Sequence, residues 1–177
     1  AGFTSASNYS ITPLALTGTA IAPGSSVYAA ALTPGAVSFG NVVGADVVTG
    51  TASVNTTTLS SSGNPIVGSY TQTAGALSGT DAGNYSLGGY TTPTANYTIG
   101  QAALTVTSIA AVNTTYGTPA PTGAVSLNGV IGSDVVTSTA SIVSPTYSTS
   151  SNLNAGSYAQ NASSLGGADA GNYTLTG

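Results

Sequence analysis

The 177-residue chain has no Lys, Arg, His, Cys, Met, Trp or Glu, and its only charged side chains are four Asp, for a net charge of −4. Each absence removes a class of function. Nucleic-acid binding displaces counterions with Lys or Arg, so no nucleic-acid partner is expected. Attraction to anionic lipid headgroups fails for the same reason. No apolar run reaches the ~18 residues of a membrane span, so no membrane insertion is expected. Without Cys there is no disulfide, thiol catalysis or thiolate metal site. Without Lys there is no Lys–Asn or Lys–Asp isopeptide crosslink, and without Lys or Arg no trypsin-like cleavage site. General acid–base work favours His or paired carboxylates, so the chain is expected not to be an enzyme and to need no cofactor.

Low charge is not disorder here. Disordered chains join low hydrophobicity to high net charge, whereas 41% of these residues are hydrophobic and 2% charged. Polarity comes from Ser, Thr and Asn. Weak mutual repulsion eases association between copies.

What the chain does have is one period. Gly44-Ala45-Asp46-Val47-Val48-Thr49 returns as Gly132-Ser133-Asp134-Val135-Val136-Thr137, and Asp81-Ala82-Gly83-Asn84-Tyr85 returns as Asp169-Ala170-Gly171-Asn172-Tyr173. Asn8-Tyr9-Ser10-Ile11 returns as Asn96-Tyr97-Thr98-Ile99. The offset is 88 each time (134 − 46, 169 − 81, 97 − 9). A tandem array stacks one unit, and its function usually belongs to the array. Residue 1 is Ala with no basic segment after it, so a mature chain or a fragment is expected. The register suggests a section of a longer array, or a subunit whose ends abut its neighbours. The expected division is residues 1–11, the closing strand of a preceding repeat; residues 12–100, repeat domain 1; and residues 101–177, repeat domain 2 without its closing strand.

Within the period the signals are strand and turn. Residues 15–21 and 103–109 read as an opening strand, with alternation through Leu104, Val106 and, after a slip, Ile109. Asn128-Gly129 reads as a hairpin turn, with Gly40-Asn41 its reversed counterpart. Residues 134–142 are rich in β-branched residues and read as a strand. Residues 144–154 read as a surface loop, and residues 156–160 as the start of another strand. The one helix-like stretch is residues 80–84, about one turn. The expected fold is all-β: two tandem small β-sandwich (immunoglobulin-like) or β-grasp-like domains, beads on a string.

The second period runs Tyr116-Gly117-Thr118-Pro119, then Gly132-Ser133-Asp134-Val135, then Asn154-Ala155-Gly156, then Leu165-Gly166-Gly167-Ala168-Asp169-Ala170-Gly171-Asn172-Tyr173-Thr174-Leu175. This resembles the YDG/MBG-type tandem repeats of large bacterial surface adhesins, the filamentous-haemagglutinin-like proteins, over nearly the whole chain. The first period departs from the pattern, with Val27-Tyr28-Ala29-Ala30 in place of Tyr-Gly-Thr-Pro. The resemblance implies an extracellular or cell-surface protein, adhesive or fibre-forming, with no catalytic residues.

The expected function is a structural, non-catalytic fibre or stalk that self-associates end to end or forms part of a giant surface adhesin. Its partners are then copies of itself or adjacent repeats of the same chain. The alternative is an adhesive module that binds glycans or extracellular matrix through Tyr and Asn, with residues 56–67 and 144–155 carrying specificity. Asn8, Tyr9 and Ile11, with Asn96, Tyr97 and Ile99, are the expected inter-repeat or inter-subunit strand. Asp81, Gly83, Asn84, Asp169, Gly171 and Asn172 are expected to be structural turns: the Asp accepts backbone N–H bonds in an Asx-type turn, and the Gly adopts a backbone closed to other residues. The Tyr side chains are expected to anchor the core or an interface through hydroxyl-to-backbone bonds. Asp46, Asp81, Asp134 and Asp169 are weak calcium candidates, since Ca²⁺ takes six to eight oxygens and often several carboxylates. A calorimetric melt with and without chelator is expected to give the same transition, and a chelator-induced drop in Tm would restore the metal option.

Overall fold

A computed structural model describes residues 2–176. It is all-β. The strands are β1 (Leu14–Ala15), β2 (Ala20–Ile21), β3 (Gly24–Val27), β4 (Val37–Ser38), β5 (Thr49–Val54), β6 (Gly68–Tyr70), β7 (Gln72–Ser78), β8 (Tyr85–Ser86), β9 (Tyr97–Gly100), β10 (Ala102–Ile109), β11 (Val125–Asn128), β12 (Thr137–Ile142), β13 (Gln160–Gly166) and β14 (Tyr173–Leu175). Two 3₁₀ turns, Ala82–Asn84 and Ala170–Asn172, fall within the expected one-turn stretch and its repeat. Among the described residues no helix is long and apolar enough to cross a membrane.

The chain forms two compact units. Unit 1 comprises Ala1–Ser26, Leu32–Thr56 and Ser69–Thr98; unit 2 comprises Val27–Ala31, Thr57–Gly68 and Ile99–Gly177. Two segments that lie in the first period by sequence, Val27–Ala31 and Thr57–Gly68, thus pack with the second.

The pairings repeat with the sequence. In unit 1, β1 runs parallel to β8, β2 antiparallel to β4, and β5 antiparallel to β7. In unit 2, β10 pairs in parallel with β14 and antiparallel with β11, while β12 pairs antiparallel with β13. The slip in alternation after Val106 is a bulge between Val106 and Ser108. Where β10 is one strand, the first period has two, β1 and β2. Gly18 stands at the position of Val106, with φ +61°, and a Cβ added there would lie 3.2 Å from the Gly40 Cα; that backbone interrupts a ladder. In the remaining sheet β9 is the middle strand, in the order β3–β9–β6.

Several local expectations are corrected. Asn128-Gly129 is not a two-residue hairpin turn: Gly129 has φ +100°, but β12 begins only at Thr137. Asp134, Val135 and Val136 precede β12 rather than opening it; the Asp134 carboxylate is bonded to Ser62 and the Val135 N–H to Asp169. Residues 156–159 form no strand, and β13 starts at Gln160. Residues 6–11, expected as a strand, belong to none. Gly83 and Gly171 do not occupy the left-handed region, and a Cβ on either would meet nothing within 4 Å. The constrained glycines lie elsewhere. Gly79 and Gly167 have φ +110° and +102°, and Gly35 and Gly123 have carbonyl oxygens of Ala22 and Ala110 1.7 and 1.8 Å from an added Cβ.

In urea titration Gly123→Ala is therefore expected to lose roughly 3 kcal/mol through backbone overlap. Gly171→Ala is expected to stay within about 1 kcal/mol of the parent. Equal losses would return Gly171 to the role the sequence suggested.

Candidate functional site

The most densely bonded polar group lies in unit 2. Asp134 is buried, at 8% exposure, ahead of β12. One carboxylate oxygen accepts the hydroxyls of Tyr28 and Tyr173, each at 2.5 Å. The other accepts the backbone N–H of Ser62 at 2.9 Å and the Ser62 hydroxyl. The phenol rings meet edge to face, 5.3 Å between centroids and 73° between planes, a favoured aromatic geometry. Tyr28 Oη, its one proton given to Asp134, accepts the Ser60 hydroxyl at 2.5 Å, and Tyr173 Oη accepts the Ile131 N–H at 3.1 Å.

A second carboxylate completes the hold on the same loop. Asp169 accepts the N–H of Ser61 at 3.1 Å and of Val135 at 2.8 Å. Consecutive peptide N–H groups, of Ser61 and Ser62, are thus gripped by Asp169 and Asp134. Ser133 Oγ donates to the Ser61 carbonyl at 2.8 Å, and the Val67 N–H donates to Asn172 Oδ1 at 3.0 Å. Segments Val27–Ala31 and Thr57–Gly68 are tied into unit 2 by these bonds.

The turn expectation needs correcting here. Asp81 and Asp169 do accept backbone N–H groups, yet neither caps its own 3₁₀ turn. Asp81 Oδ2 takes the Val47 N–H at 2.8 Å, from 34 residues away. These are long-range staples, not Asx turns. Both Asp134 oxygens and both Asp169 oxygens already carry donors. Such an inward ring of N–H and O–H groups suits an anion, not a cation. Among the described residues no three acids converge.

The electrostatics follow the geometry. Burial alone would raise the Asp134 carboxyl, but the bonds from Ser62, Tyr173 and Tyr28 outweigh it and hold it well below the usual carboxylate range. Asp169 is lowered by the Val135 N–H and then by Ser61. Burial, followed by the bond to Asp134, pushes the Tyr173 phenol well above its ordinary value.

Unit 1 carries the matching half without its cover. Tyr85 Oη donates to Asp46 at 2.6 Å and accepts the Val43 N–H at 2.9 Å, as Tyr173 does with Asp134 and Ile131. That bond to Asp46 raises the Tyr85 phenol. Asn84, the counterpart of buried Asn172, is exposed. The complementary half recurs uncovered in unit 2: Tyr116 Oη is hydrogen-bonded to Ser148 Oγ at 3.0 Å, the pair that matches Tyr28 and Ser60. Tyr28 is 2% exposed and Tyr116 53%.

The expected inter-repeat strand divides in the same way. Asn96 is fully bonded within unit 1. Its N–H donates to the Tyr70 carbonyl at 3.0 Å, its carbonyl accepts the Gly24 N–H at 3.1 Å, its Nδ2 donates to the Ile21 carbonyl at 2.9 Å, and its Oδ1 accepts Gln72 Nε2 at 2.9 Å. Tyr97 is 0% exposed and its hydroxyl accepts the Thr33 N–H at 2.9 Å; Ile99 is 1% exposed. Their repeat mates Tyr9 and Ile11 are each 85% exposed. Asn8 accepts only a local Ser5 hydroxyl, at 3.0 Å, among the described bonds.

Sequence reasoning missed Ser60, Ser62 and Gln72. The signal was there: Ser148, Ser150 and Gln160 keep the period, the two serines inside a stretch that otherwise diverges. Comparison with known proteins finds no matching family model, curated protein or solved structure.

Tyr28→Phe is expected to lose roughly 1–3 kcal/mol, the range for a bond to a charged group. Tyr116→Phe, exposed, is expected to stay within about 0.5 kcal/mol. The pH profile follows in sign. Lowered Asp134 and Asp169 contribute stability present above the unfolded carboxyl value of about 3.9 and lost as pH falls through their folded values. Raised Tyr173 and Tyr85 contribute stability present below the unfolded phenol value of about 10 and lost as pH rises through theirs. With no His, Cys or Lys, unfolding free energy should be nearly flat between about pH 5 and 9. Asp134→Asn should flatten much of the acid limb.

Proposed function

We propose that the chain is a structural, non-catalytic building block of an extracellular fibre or stalk, a tandem array in which each period closes the next. The resemblance to YDG/MBG-type adhesin repeats supports that setting, and we read each unit as a small β-sandwich. The observation that carries the proposal is the Asp134 joint. Tyr28 and Ser60–Ser62, from one period, complete a unit built on the following period. Both halves of that joint recur without the other half, as Asp46 with Tyr85 and as Tyr116 with Ser148. A joint that repeats with the sequence is a means of propagation, and a heterologous head-to-tail contact that does not close on itself gives filaments.

Catalysis has no support. The groups with the strongest shifts, Asp134 and Tyr173, bond each other and their neighbours inside unit 2, with Asp134 in its charged form and Tyr173 in its neutral form. The partners under this reading are further copies or further repeats of the same kind.

Electron microscopy of the purified chain over a range of concentrations tests it. Linear, unbranched polymers are expected to lengthen with concentration and to survive high salt, because no ion pairs between side chains are available to screen. Monodisperse particles that bind a defined sugar on a glycan array would replace the fibre reading with that of an adhesive module.

A further inference from the structure

Unit 2 holds an open groove at the place that corresponds, one period later, to β9. By the 88-residue offset, the strands flanking β9, which are β3 and β6, correspond to residues 112–115 and 156–158. Neither stretch is a strand, and among the described residues none lies between them. A cavity of about 380 Å³ opens there, lined by Val112, Thr114 and Tyr116 on one side and by Gly156, Ser157 and Tyr158 on the other. Gln160 lines it as well. Gln160 already makes two of the contacts of its mate Gln72. Oε1 accepts the Gly123 N–H at 2.7 Å, as Gln72 accepts Gly35, and Nε2 reaches the Ala110 carbonyl at 3.3 Å, as Gln72 reaches Ala22. What Gln72 has in addition is Asn96.

The same chain exposes a segment with the pattern of β9. Asn8-Tyr9-Ser10-Ile11 repeats Asn96-Tyr97-Thr98-Ile99 with one Ser-for-Thr change, and its two large apolar side chains lie in solvent. Exposing Tyr9 and Ile11 so fully leaves in water apolar surface whose burial would be favourable. Neither groove nor segment carries a charge.

We propose that residues 6–11 of a second copy enter this groove as its missing middle strand, by β-strand addition. The proposal rests on the fibre reading and names its contact. Asn8 takes the place of Asn96: its Oδ1 faces Gln160 Nε2, its Nδ2 the Ile109 carbonyl, and its backbone pairs with Val112 and Tyr158. Ile11 takes the place of Ile99. Tyr9 is held differently from Tyr97, because Val112 stands where Gly24 leaves room for the ring and Pro121 stands where Thr33 donates its N–H. The hold therefore rests on backbone pairing, Asn8 and Ile11. The same 88-residue step carries Tyr116 and Ser148 of the first copy to Asp46 and Tyr85 of the second, which rebuilds the Asp134 joint between copies.

The test uses the full chain and a double variant, Tyr9→Ser with Ile11→Ser, whose changes fall on exposed side chains and leave the groove intact. Sedimentation reads association, circular dichroism reads folding, and fluorescence anisotropy reads binding of a labelled peptide of residues 3–13. The double variant is expected to be folded and monomeric, and to bind the peptide at least tenfold more tightly than a peptide carrying the same two changes. Asp46→Ala in the full chain is expected to weaken association while leaving peptide binding unchanged. If the double variant associates like the parent, or does not bind the peptide, the strand assignment is overturned and end-to-end assembly must use another surface. If the peptide binds but the parent chain never associates, the groove assignment stands and the self-assembling fibre fails.

Discussion

The Asp134 carboxylate is the constraint on which the rest of unit 2 depends. It is one of four charges in the chain, and no cation is available to neutralise it. A buried charge without a counterion is stable only when its acceptor sites are filled by donors. Two phenols, a serine hydroxyl and a peptide N–H fill them. Those donors come from three separated stretches of chain: Tyr28, Ser62 and Tyr173. Removing any one leaves a desolvated anion underbonded, which couples the three segments.

This explains how a composition so poor in charge and large apolar residues yields ordered units. The fully buried side chains include Gln72 beside Tyr97, Ile99 and Leu104. Gln72 is satisfied at every polar atom: Gly35 at Oε1, Ala22 and Asn96 at Nε2. A buried polar network with every member bonded specifies one register, because a slipped strand leaves groups unpaired. Specificity that other small domains draw from disulfides or ion pairs comes here from amides, hydroxyls and carboxylates bonded to backbone.

Much of this was legible from spacing. The period located all four Asp, the Tyr anchors and the 3₁₀ turns, and the slip after Val106 marked the bulge. What stayed hidden was direction. A residue such as Asp169 reads locally as turn chemistry, since Asp-Ala-Gly-Asn suits a turn. Its bonds go instead to Val135 and Ser61, distant in sequence, and nothing local encodes a partner 108 residues away. Gly171 misled for a related reason: glycine in a turn suggests positive φ, but the backbone that needs glycine is at Gly167, four residues earlier, where the Val135 carbonyl passes close. Residues 6–11 read as a strand because their pattern is that of a strand. Strand is a property of pairing, and among the described residues nothing pairs with them.

That last difference bears on what the units are for. Asn96, Tyr97 and Ile99 show what the pattern does when flanked: every polar atom of Asn96 is bonded, and both large side chains leave solvent. Asn8, Tyr9 and Ile11 carry the same chemistry with no flanking strands. An exposed segment of this kind is an aggregation hazard, which natural proteins blunt with charge or proline. Neither interrupts Asn8-Tyr9-Ser10-Ile11, and the nearest proline, Pro13, lies beyond it. A chain without Lys, Arg or Glu has few means of keeping such a segment from pairing. Its specificity then has to come from the shape and bonding pattern of the site that receives it. The groove lined by Gln160 presents the side-chain amide that corresponds, one period later, to the Gln72 amide that holds Asn96.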